Sequence, residues 1–131
     1  QIMNGATYVA RGYSSDIKHL TEIIKNAILH RGFALIDLFS PCVTFNHDNN
    51  VAFFKPRIKK LEDEGHDTSD WKTACEKAML FGDTIYTGVF YEGDRPSLED
   101  VEPVLKTGGP LSFRELGLGQ DYAKKIITGM M

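Results

Sequence analysis

The stretch FALIDLFSPCVTFN, residues 33–46, decides how this chain is interpreted. Its first half, Phe33–Leu38, is a near-continuous apolar run that only Asp37 interrupts, which is typical of a strand buried on both faces of a parallel sheet. The run leads into Ser40-Pro41-Cys42. Proline fixes its own φ and biases the residue before it toward an extended backbone, so the turn after the strand has a defined geometry. The stretch therefore predicts a buried strand that places a cysteine beyond its carboxyl end.

The segment before this strand completes a predicted βαβ unit. Thr7–Ala10 is a short β-prone run. From Asp16 to His30, apolar residues recur at spacings of three and four, which indicates an amphipathic helix with Ser14 or Ser15 as its N-cap and Gly32 just beyond its end. Strand, helix and strand at this length predict an α/β fold with a parallel sheet. Ligands of such sheets gather beyond the carboxyl ends of the strands, where the cysteine lies.

The segment after residue 46 predicts a helical and partly irregular extension. Its expected elements are a helical turn at Val51–Phe54, a helix at Arg57–Glu64 that Pro56 begins and Gly65 ends, a helix at Trp71–Phe81, a strand at Thr84–Tyr91, a short helix between Ser97 and Pro103, and an irregular arm over residues 107–131 with a last helix near Asp121–Ile127. We therefore divide the chain into residues 1–46, which belong to the parallel sheet, and residues 47–131, which form the extension.

Length and charge exclude several classes of protein. With 131 residues, of which 42% are hydrophobic and 25% charged, the chain has the composition of one globular domain. A net charge of −3 lacks the basic excess typical of nucleic-acid-binding proteins. No apolar run approaches the roughly 20 residues of a membrane span, and no signal-peptide pattern is present, so we expect a cytoplasmic protein without a membrane partner. Because it opens at Gln1 without a methionine, we interpret the sequence as a piece of a longer polypeptide.

Cys42 is the candidate site residue. A lone cysteine in a small domain is most often a small buried hydrophobe. A soft thiolate held in a defined turn also suits an iron–sulfur cluster, with Val43 and Phe45 available to shield it from water. Cys75 lies on the apolar stripe of its predicted helix, where packing is the simpler interpretation. The residues alone leave packing and cluster ligation open for Cys42, as well as a catalytic thiol for which we find no base.

The other polar candidates carry less weight. His19, His30, His47 and His66 are not spaced as metal ligands, and we assign none of them to a site. We expect His19 and His30 on solvated parts of the first helix. For Asp37, a structural hydrogen bond is the favoured interpretation and a role near a site is the alternative.

Four segments, in order along the chain, resemble one family. They are GATYVARGYS at 5–14, FALIDLFSPCVTFN at 33–46, KKLEDEGHDTSDW at 59–71 and YTGVFYEGDRPSLED at 86–100. Together they are similar to the C-terminal portion of the thiamine diphosphate-binding β subunit of 2-oxoacid:ferredoxin oxidoreductases. The resemblance covers roughly residues 4–100 and fades in the tail. The SPCVTFN motif resembles the branch that acts on 2-oxoglutarate or on a broad range of 2-oxoacids.

The resemblance implies an enzyme that oxidatively decarboxylates a 2-oxoacid to an acyl-CoA and passes electrons through a [4Fe–4S] cluster to ferredoxin. It implies thiamine diphosphate and Mg²⁺ as cofactors, an α subunit as partner, and an oligomer. Residues 1–46 would be the βαβ end of the thiamine diphosphate-binding fold, and residues 47–131 the extension of the oxidoreductase β subunit. Cys42 would be one of four cluster ligands.

The family's other three cluster cysteines and its thiamine diphosphate and magnesium motif are absent from the sequence. Most cofactor ligands are therefore expected outside this chain, and the chain alone is expected to be inactive. The alternative is a stand-alone, non-catalytic interaction or oligomerisation domain, which would also have sheet edges to cover.

Overall fold

A computed structural model describes residues 1–42, 44–113 and 119–129, and it divides into two compact units, Gln1–Arg95 and Pro96–Met131. The first unit contains strands β1 (Tyr8–Tyr13), β2 (Ala34–Phe39), β3 (Ile58–Lys60) and β4 (Ile85–Glu92), and helices α1 (Ile17–Leu29), α2 (Val51–Phe54) and α3 (Trp71–Ala78). The second unit contains helices α4 (Leu98–Val101), α5 (Pro103–Gly108) and α6 (Gly119–Gly129). Short 3₁₀ turns lie at Ile2–Asn4, Lys55–Arg57, Glu62–Glu64 and Leu111–Phe113.

The predicted βαβ unit is present. β1 and β2 pair in parallel, from Tyr8 opposite Ala34 to Tyr13 opposite Phe39, and α1 connects them. β1 continues past the predicted end at Ala10 because its next residues remain in register with β2. Gly12 permits this continuation, since a Cβ there would lie 2.6 Å from Leu20 Cδ1 of α1. The sheet and its crossover helix therefore approach each other closely at the end of β1.

The caps of α1 differ from those predicted. Asp16 is the N-cap, and its carboxylate accepts a hydrogen bond from the His19 backbone N–H at 3.2 Å. The predicted caps, Ser14 and Ser15, lie before the start of the helix. The Ser14 backbone N–H donates instead to Phe39 O at the edge of the sheet. The helix ends at Leu29, and His30 follows in an extended conformation, so no left-handed residue closes the helix.

The sheet is mixed, with the strand order β2-β1-β4-β3. β4 is antiparallel to β1 and parallel to β3. Since β2 lies at the edge, the prediction that it is buried on both faces is wrong: Leu38 is 50% exposed. The α/β class is confirmed. The predicted boundary between residues 46 and 47, as the end of a cofactor-binding fold, stays a prediction, although the sheet continues across it through β3 and β4.

The helix predicted over Arg57–Glu64 is wrong. Ile58–Lys60 form β3 instead, because they pair in parallel with Ile85–Thr87 of β4. A 3₁₀ turn follows, and Gly65 ends it with a left-handed φ of 63°, at the residue where a helix end was predicted. The next helix, α3, begins after Asp70, whose carboxylate accepts from the Lys72 and Thr73 backbone N–H groups. It ends at Ala78, three residues before the predicted end at Phe81.

Two apolar clusters lie on the two faces of the sheet, as the alternation of side chains along β1 requires. Val9 belongs to the larger cluster, whose buried members are Ile2, Ala6, Val9, Leu61, Ala74, Tyr86 and Phe90. Tyr8 and Ala10 belong to the smaller cluster with Ile23 of α1. Cys75 packs against the larger cluster, in agreement with the packing interpretation.

The second unit is helical, as predicted for the extension. Ser97 and Asp100 form a capping box at the start of α4, and Pro103 begins α5. α6 is longer at both ends than the predicted Asp121–Ile127. Residues 114–118 of the predicted irregular arm lie outside the described residues. Over the part of the chain that is described, every helix is too short or too polar to span a membrane.

Candidate functional site

The candidate site lies at the edge of the sheet where β1 and β2 both end. Because the two strands are parallel and in register, Tyr13 and Phe39 finish side by side. Two hydrogen bonds join the residues that follow: Ser14 N–H donates to Phe39 O at 3.1 Å, and the Ser14 hydroxyl donates to the Ser40 hydroxyl at 3.0 Å. The chain then enters Pro41 and Cys42. The position of the cysteine is therefore tied to both strands.

The loop that begins at Cys42 is built from turns. Cys42 O accepts a hydrogen bond from the Asn46 backbone N–H at 3.0 Å, which closes the first turn. The Asn46 side chain accepts from Asn49 N–H at 3.0 Å, and the Asn50 side chain caps α2 by accepting from Phe53 N–H at 3.2 Å. Asparagine side chains that bond to nearby backbone groups stabilise such turns. The loop thus has its own hydrogen bonds between Cys42 and the start of α2.

An aromatic cluster packs behind this edge of the sheet. We define it as Tyr13, Phe39, Phe54 and Phe81. The Phe39 ring lies 4.8 Å from Tyr13, 5.5 Å from Phe54 and 5.9 Å from Phe81, measured between ring centroids. Such pairs stabilise beyond the area that they bury. The cluster joins the ends of β1 and β2 to α2 and to the segment after α3, and it supports the loop that carries Cys42.

Cys42 itself is exposed and forms no disulfide. This corrects the interpretation that it is a buried small hydrophobe. Phe45, which was expected to shield it, is 90% exposed. Val43, the other expected shield, lies outside the described residues. Within this chain, the cysteine at the start of the loop is therefore exposed.

Cys42 is the one residue of this loop that we predicted as a metal ligand. Among the described residues, no group of three or more histidine, cysteine or carboxylate side chains is arranged to hold a metal ion. A [4Fe–4S] cluster requires four thiolate ligands. One exposed cysteine in a hydrogen-bonded loop therefore fits a shared cluster whose other ligands come from elsewhere, and it does not fit a cluster held by the described residues alone.

Two histidines are less solvated than predicted. The side chains of His19 and His30 are only 13% and 9% exposed. His19 Nε2 lies 3.3 Å from Glu62 Oε1, and His30 Nε2 lies 2.8 Å from the Thr7 hydroxyl. These contacts come from the start of the sheet and the Glu62–Glu64 turn, which helical spacing could not reveal.

Asp37 has the structural partner that was favoured for it. Arg11 Nε donates to Asp37 Oδ2 at 2.7 Å, and Arg11 Nη2 donates to Ala78 O at 3.3 Å. The Arg11 guanidinium also lies over the rings of Phe81 and Phe90, at 5.4 and 5.3 Å from their centroids. Arg11 and the aromatic cluster were not predicted as parts of the site. The sequence contains only a weak indication of the aromatic cluster, which is that β1 and β2 each end with an aromatic residue, Tyr13 and Phe39.

Comparisons with known proteins agree on one family. The family model for the C-terminal part of the pyruvate ferredoxin oxidoreductase beta subunit matches residues 42–107. The beta subunit of a 2-oxoacid:ferredoxin oxidoreductase from a Sulfolobus species is 40% identical over 114 residues, which cover 76% of this chain and 36% of the relative. The beta subunit of 2-oxoacid:ferredoxin oxidoreductase 1 from Aeropyrum pernix is 42% identical over 100 residues, which cover 69% of this chain and 31% of the relative.

A solved structure shares the fold. It is the 2-oxoglutarate:ferredoxin oxidoreductase from Magnetococcus marinus, with 2-oxoglutarate, coenzyme A and succinyl-CoA bound. Its similarity has a TM-score of 0.73 at 34% sequence identity, over 97% of this chain and 42% of that chain. The chain thus spans about a third of the length of the curated relatives that it matches.

Proposed function

Since the chain belongs to the family of 2-oxoacid:ferredoxin oxidoreductase β subunits, we propose that it works as part of such a subunit and that Cys42 is one thiolate ligand of a [4Fe–4S] cluster. The complete enzyme, with its α subunit, would oxidatively decarboxylate a 2-oxoacid to an acyl-CoA and reduce ferredoxin in the cytoplasm. The SPCVTFN motif and the M. marinus relative support the 2-oxoglutarate or broad-specificity branch.

The observation that carries this proposal is the placement of Cys42. Its thiol is exposed, at the carboxyl edge of two parallel strands, at the first residue of the family match. The Asn46 N–H bonds to the Cys42 carbonyl, the Ser14 bonds hold Phe39 and Ser40 just before it, and the aromatic cluster packs against the ends of both strands. When bound, a cluster supplies one-electron transfer, and its potential depends on hydrogen bonds to the sulfur and on burial. The remaining cluster ligands, thiamine diphosphate and Mg²⁺ would be held outside this chain.

The chain would also supply contacts between subunits. β2 is an edge strand with its outer hydrogen-bonding side available in the described chain. On α1, Ile17 is 73% and Ile28 77% exposed, although the helix is otherwise amphipathic. Exposed apolar residues on the edge strand and its neighbouring helix support a surface that is covered by the rest of the β subunit or by the α subunit.

The test compares Cys42→Ser with the matched control Cys75→Ser in the assembled oxidoreductase. Cys42→Ser removes one cluster ligand, so the iron and acid-labile sulfide content should fall and electron transfer to ferredoxin should be lost. Cys75→Ser changes a thiol that packs against the core, so the cluster should be retained. Size-exclusion chromatography of both variants checks that the subunits still assemble.

Retention of full iron content and ferredoxin-linked turnover by Cys42→Ser would show that Cys42 is not a ligand. A chain purified in its native state at 14.7 kDa, colourless and without partner subunits, would instead support the stand-alone interaction domain.

A further inference from the structure

One side of α1 is uncovered in the described part of the chain. The helix packs on the sheet through Ile23, which lies in the cluster of Tyr8 and Ala10, and through Ala27, which packs against that cluster. A second row of residues, at spacings of four, three and four, is exposed, and we call it the α1 stripe: Ile17, Thr21, Ile24 and Ile28. A helix with a second apolar row of this kind is typical of one that packs on a further partner.

The α1 stripe points toward the free edge of the sheet. Successive residues of an α-helix turn by about 100°, so His19 and Ile28, nine residues apart, lie on opposite sides of α1. His19 Nε2 lies 3.3 Å from Glu62 Oε1, and the Glu62 carboxylate lies beside Gly88 of β4. In the strand order β2-β1-β4-β3, the histidine side of α1 therefore faces β4, and the side with Ile28 faces β2.

β2 supplies the other half of this surface. It pairs with β1 on one side, and among the described strands none pairs with its other side. Ala34 and Ile36 pack against the cluster beneath α1. Leu38 lies on the same face, because side chains alternate along a strand, and it is 50% exposed. An unpaired backbone edge, a half-exposed leucine and the α1 stripe thus lie next to one another.

A surface groove of about 500 Å³ follows the stripe. It is lined by Thr21, Ile24, Lys25, Ile28 and Leu29. Lys25 is the one charged residue in this lining, and Glu22 lies farther round the helix. Rows of side chains at spacings of three and four fit a second helix packed alongside. Lys25 favours a carboxylate on that second helix, since opposite charges across an interface give specificity.

We propose that this surface docks a βα unit from the part of the β subunit that lies outside this sequence. The strand of that unit pairs with the free edge of β2, and its helix packs on the α1 stripe with a carboxylate opposite Lys25. This docking rests on the proposed function, in which the chain works as part of a β subunit. Pairing satisfies the open backbone groups of β2, and the helix removes the stripe from water.

The length of the relatives identifies the occupant. The matched residues cover only 36% and 31% of two curated β subunits and 42% of the solved chain, so each of those proteins has further polypeptide to place. Parallel sheets are extended by βα units, whose helices cover the faces of the sheet. β1, α1 and β2 already form such an arrangement, and the docked unit continues it. The surface uses none of the residues 40–50, so it is separate from the Cys42 loop.

The first test compares the 131-residue chain alone with the assembled oxidoreductase. The β2 amides that point away from β1 should exchange their hydrogens at least about tenfold more slowly in the enzyme. Hydroxyl radical labelling, measured by mass spectrometry, should also fall at Ile24 and Ile28. Unchanged exchange at β2, or unchanged labelling of the stripe, would overturn the docking.

A charged substitution in the stripe gives the second test. Ile28→Asp should lower the fraction of the chain recovered in the assembled enzyme about tenfold, because it places a carboxylate in an apolar contact. Asn26→Asp is the matched control, since it adds the same charge to an exposed residue on the opposite side of α1. Ile28 is already 77% exposed, so the two variants should have the same midpoint of thermal unfolding as chains alone. Equal assembly of both variants would contradict the proposal.

A carbodiimide cross-linker, which joins a lysine directly to a carboxylate in contact with it, identifies the occupant. Lys25 should be linked to an aspartate or glutamate of the β subunit outside this sequence. A link to the α subunit, or to a second copy of this chain, would overturn the proposal.

The outcomes for this surface and for Cys42 are distinguishable. A covered stripe in an enzyme whose Cys42→Ser variant keeps its iron would contradict only the cluster ligand. An uncovered stripe in an enzyme whose Cys42→Ser variant loses its iron would contradict only the docking. A chain that enters no oxidoreductase, as seen by size-exclusion chromatography, would overturn the proposed function and this docking with it.

Discussion

Arg11 on β1 and Asp37 on β2 are register partners, and their side chains join the two parallel strands through a 2.7 Å bond from Nε to Oδ2. The two residues differ in environment, because the Arg11 side chain is 12% exposed and that of Asp37 is 52% exposed. The arginine is therefore the partner that loses most of its contact with water on folding. The pair ties together the two strands that lead into the Cys42 loop.

Replacement of Asp37 tests this pair. Asp37→Ala should lower the free energy of unfolding by about 1–2 kcal/mol, because it leaves a nearly buried guanidinium with fewer acceptors. Asp37→Asn keeps a hydrogen-bond acceptor for Arg11, so it should lower the free energy of unfolding by less than Asp37→Ala. Chemical denaturation of both variants, combined with Arg11→Met in a double-mutant cycle, measures the coupling. A coupling energy near zero would show that the contact contributes nothing to stability.

The aromatic cluster gives a second prediction. Phe39→Ala should destabilise the chain by roughly 2–3 kcal/mol, less than the ~3–5 kcal/mol of a fully buried phenylalanine, because Phe39 is only partly buried. Phe45→Ala is the matched control, since Phe45 is 90% exposed and should change the stability by less than about 0.5 kcal/mol. Thermal denaturation of the two variants makes the comparison. Equal losses would mean that the cluster does not support the loop.

The close approach of the Glu62–Glu64 turn to β4 gives a third prediction. Gly88 has a φ of 116°, and a Cβ there would lie 2.6–2.9 Å from the carboxylate atoms of Glu62. Gly88→Ala should therefore destabilise the chain by about 1–3 kcal/mol. Gly82→Ala meets nothing within 4 Å and should be close to neutral. If the two variants unfold at the same denaturant concentration, neither the close contact nor the positive φ at Gly88 constrains this position.

The ion pair between Lys60 and Asp16 predicts a pH dependence. The folded-state pKa of Asp16 is lowered, so its contribution is present above the unfolded value near 3.8 and is lost as the pH falls through the folded value. Both side chains are more than a third exposed, so the contribution of this ion pair to the free energy of unfolding should stay below about 1 kcal/mol. The stability difference between the parent chain and Lys60→Gln should shrink as the pH is lowered from about 6 to about 3. A difference that is constant over this range would contradict the assignment, and Lys72→Gln serves as the control.

The two cysteines should react with iodoacetamide at different rates. Cys42 is exposed, whereas Cys75 packs against the core, so the peptide that contains Cys42 should be alkylated first in the folded chain. Denaturant should remove the difference. Mass spectrometry of the digested protein measures both rates, and faster labelling of Cys75 would contradict the described exposure.

The order of residues along the chain was sufficient to predict the βαβ unit, the start of α3 at Trp71, and a cysteine beyond the carboxyl end of β2. These features depend on local periodicity, on capping side chains and on proline, whose effects extend over only a few residues. The four-segment resemblance was sufficient to identify the family, which the family match confirms.

Only the tertiary structure decided which strand lies at the edge and which polar groups meet. Ile58–Lys60 became a strand because β4 offers it a parallel partner, although the local pattern favoured a helix. Arg11 pairs with Asp37 across the sheet, at a sequence separation that no local pattern encodes. Pairing and burial depend on the neighbours that folding brings together, so residue propensity alone cannot fix them.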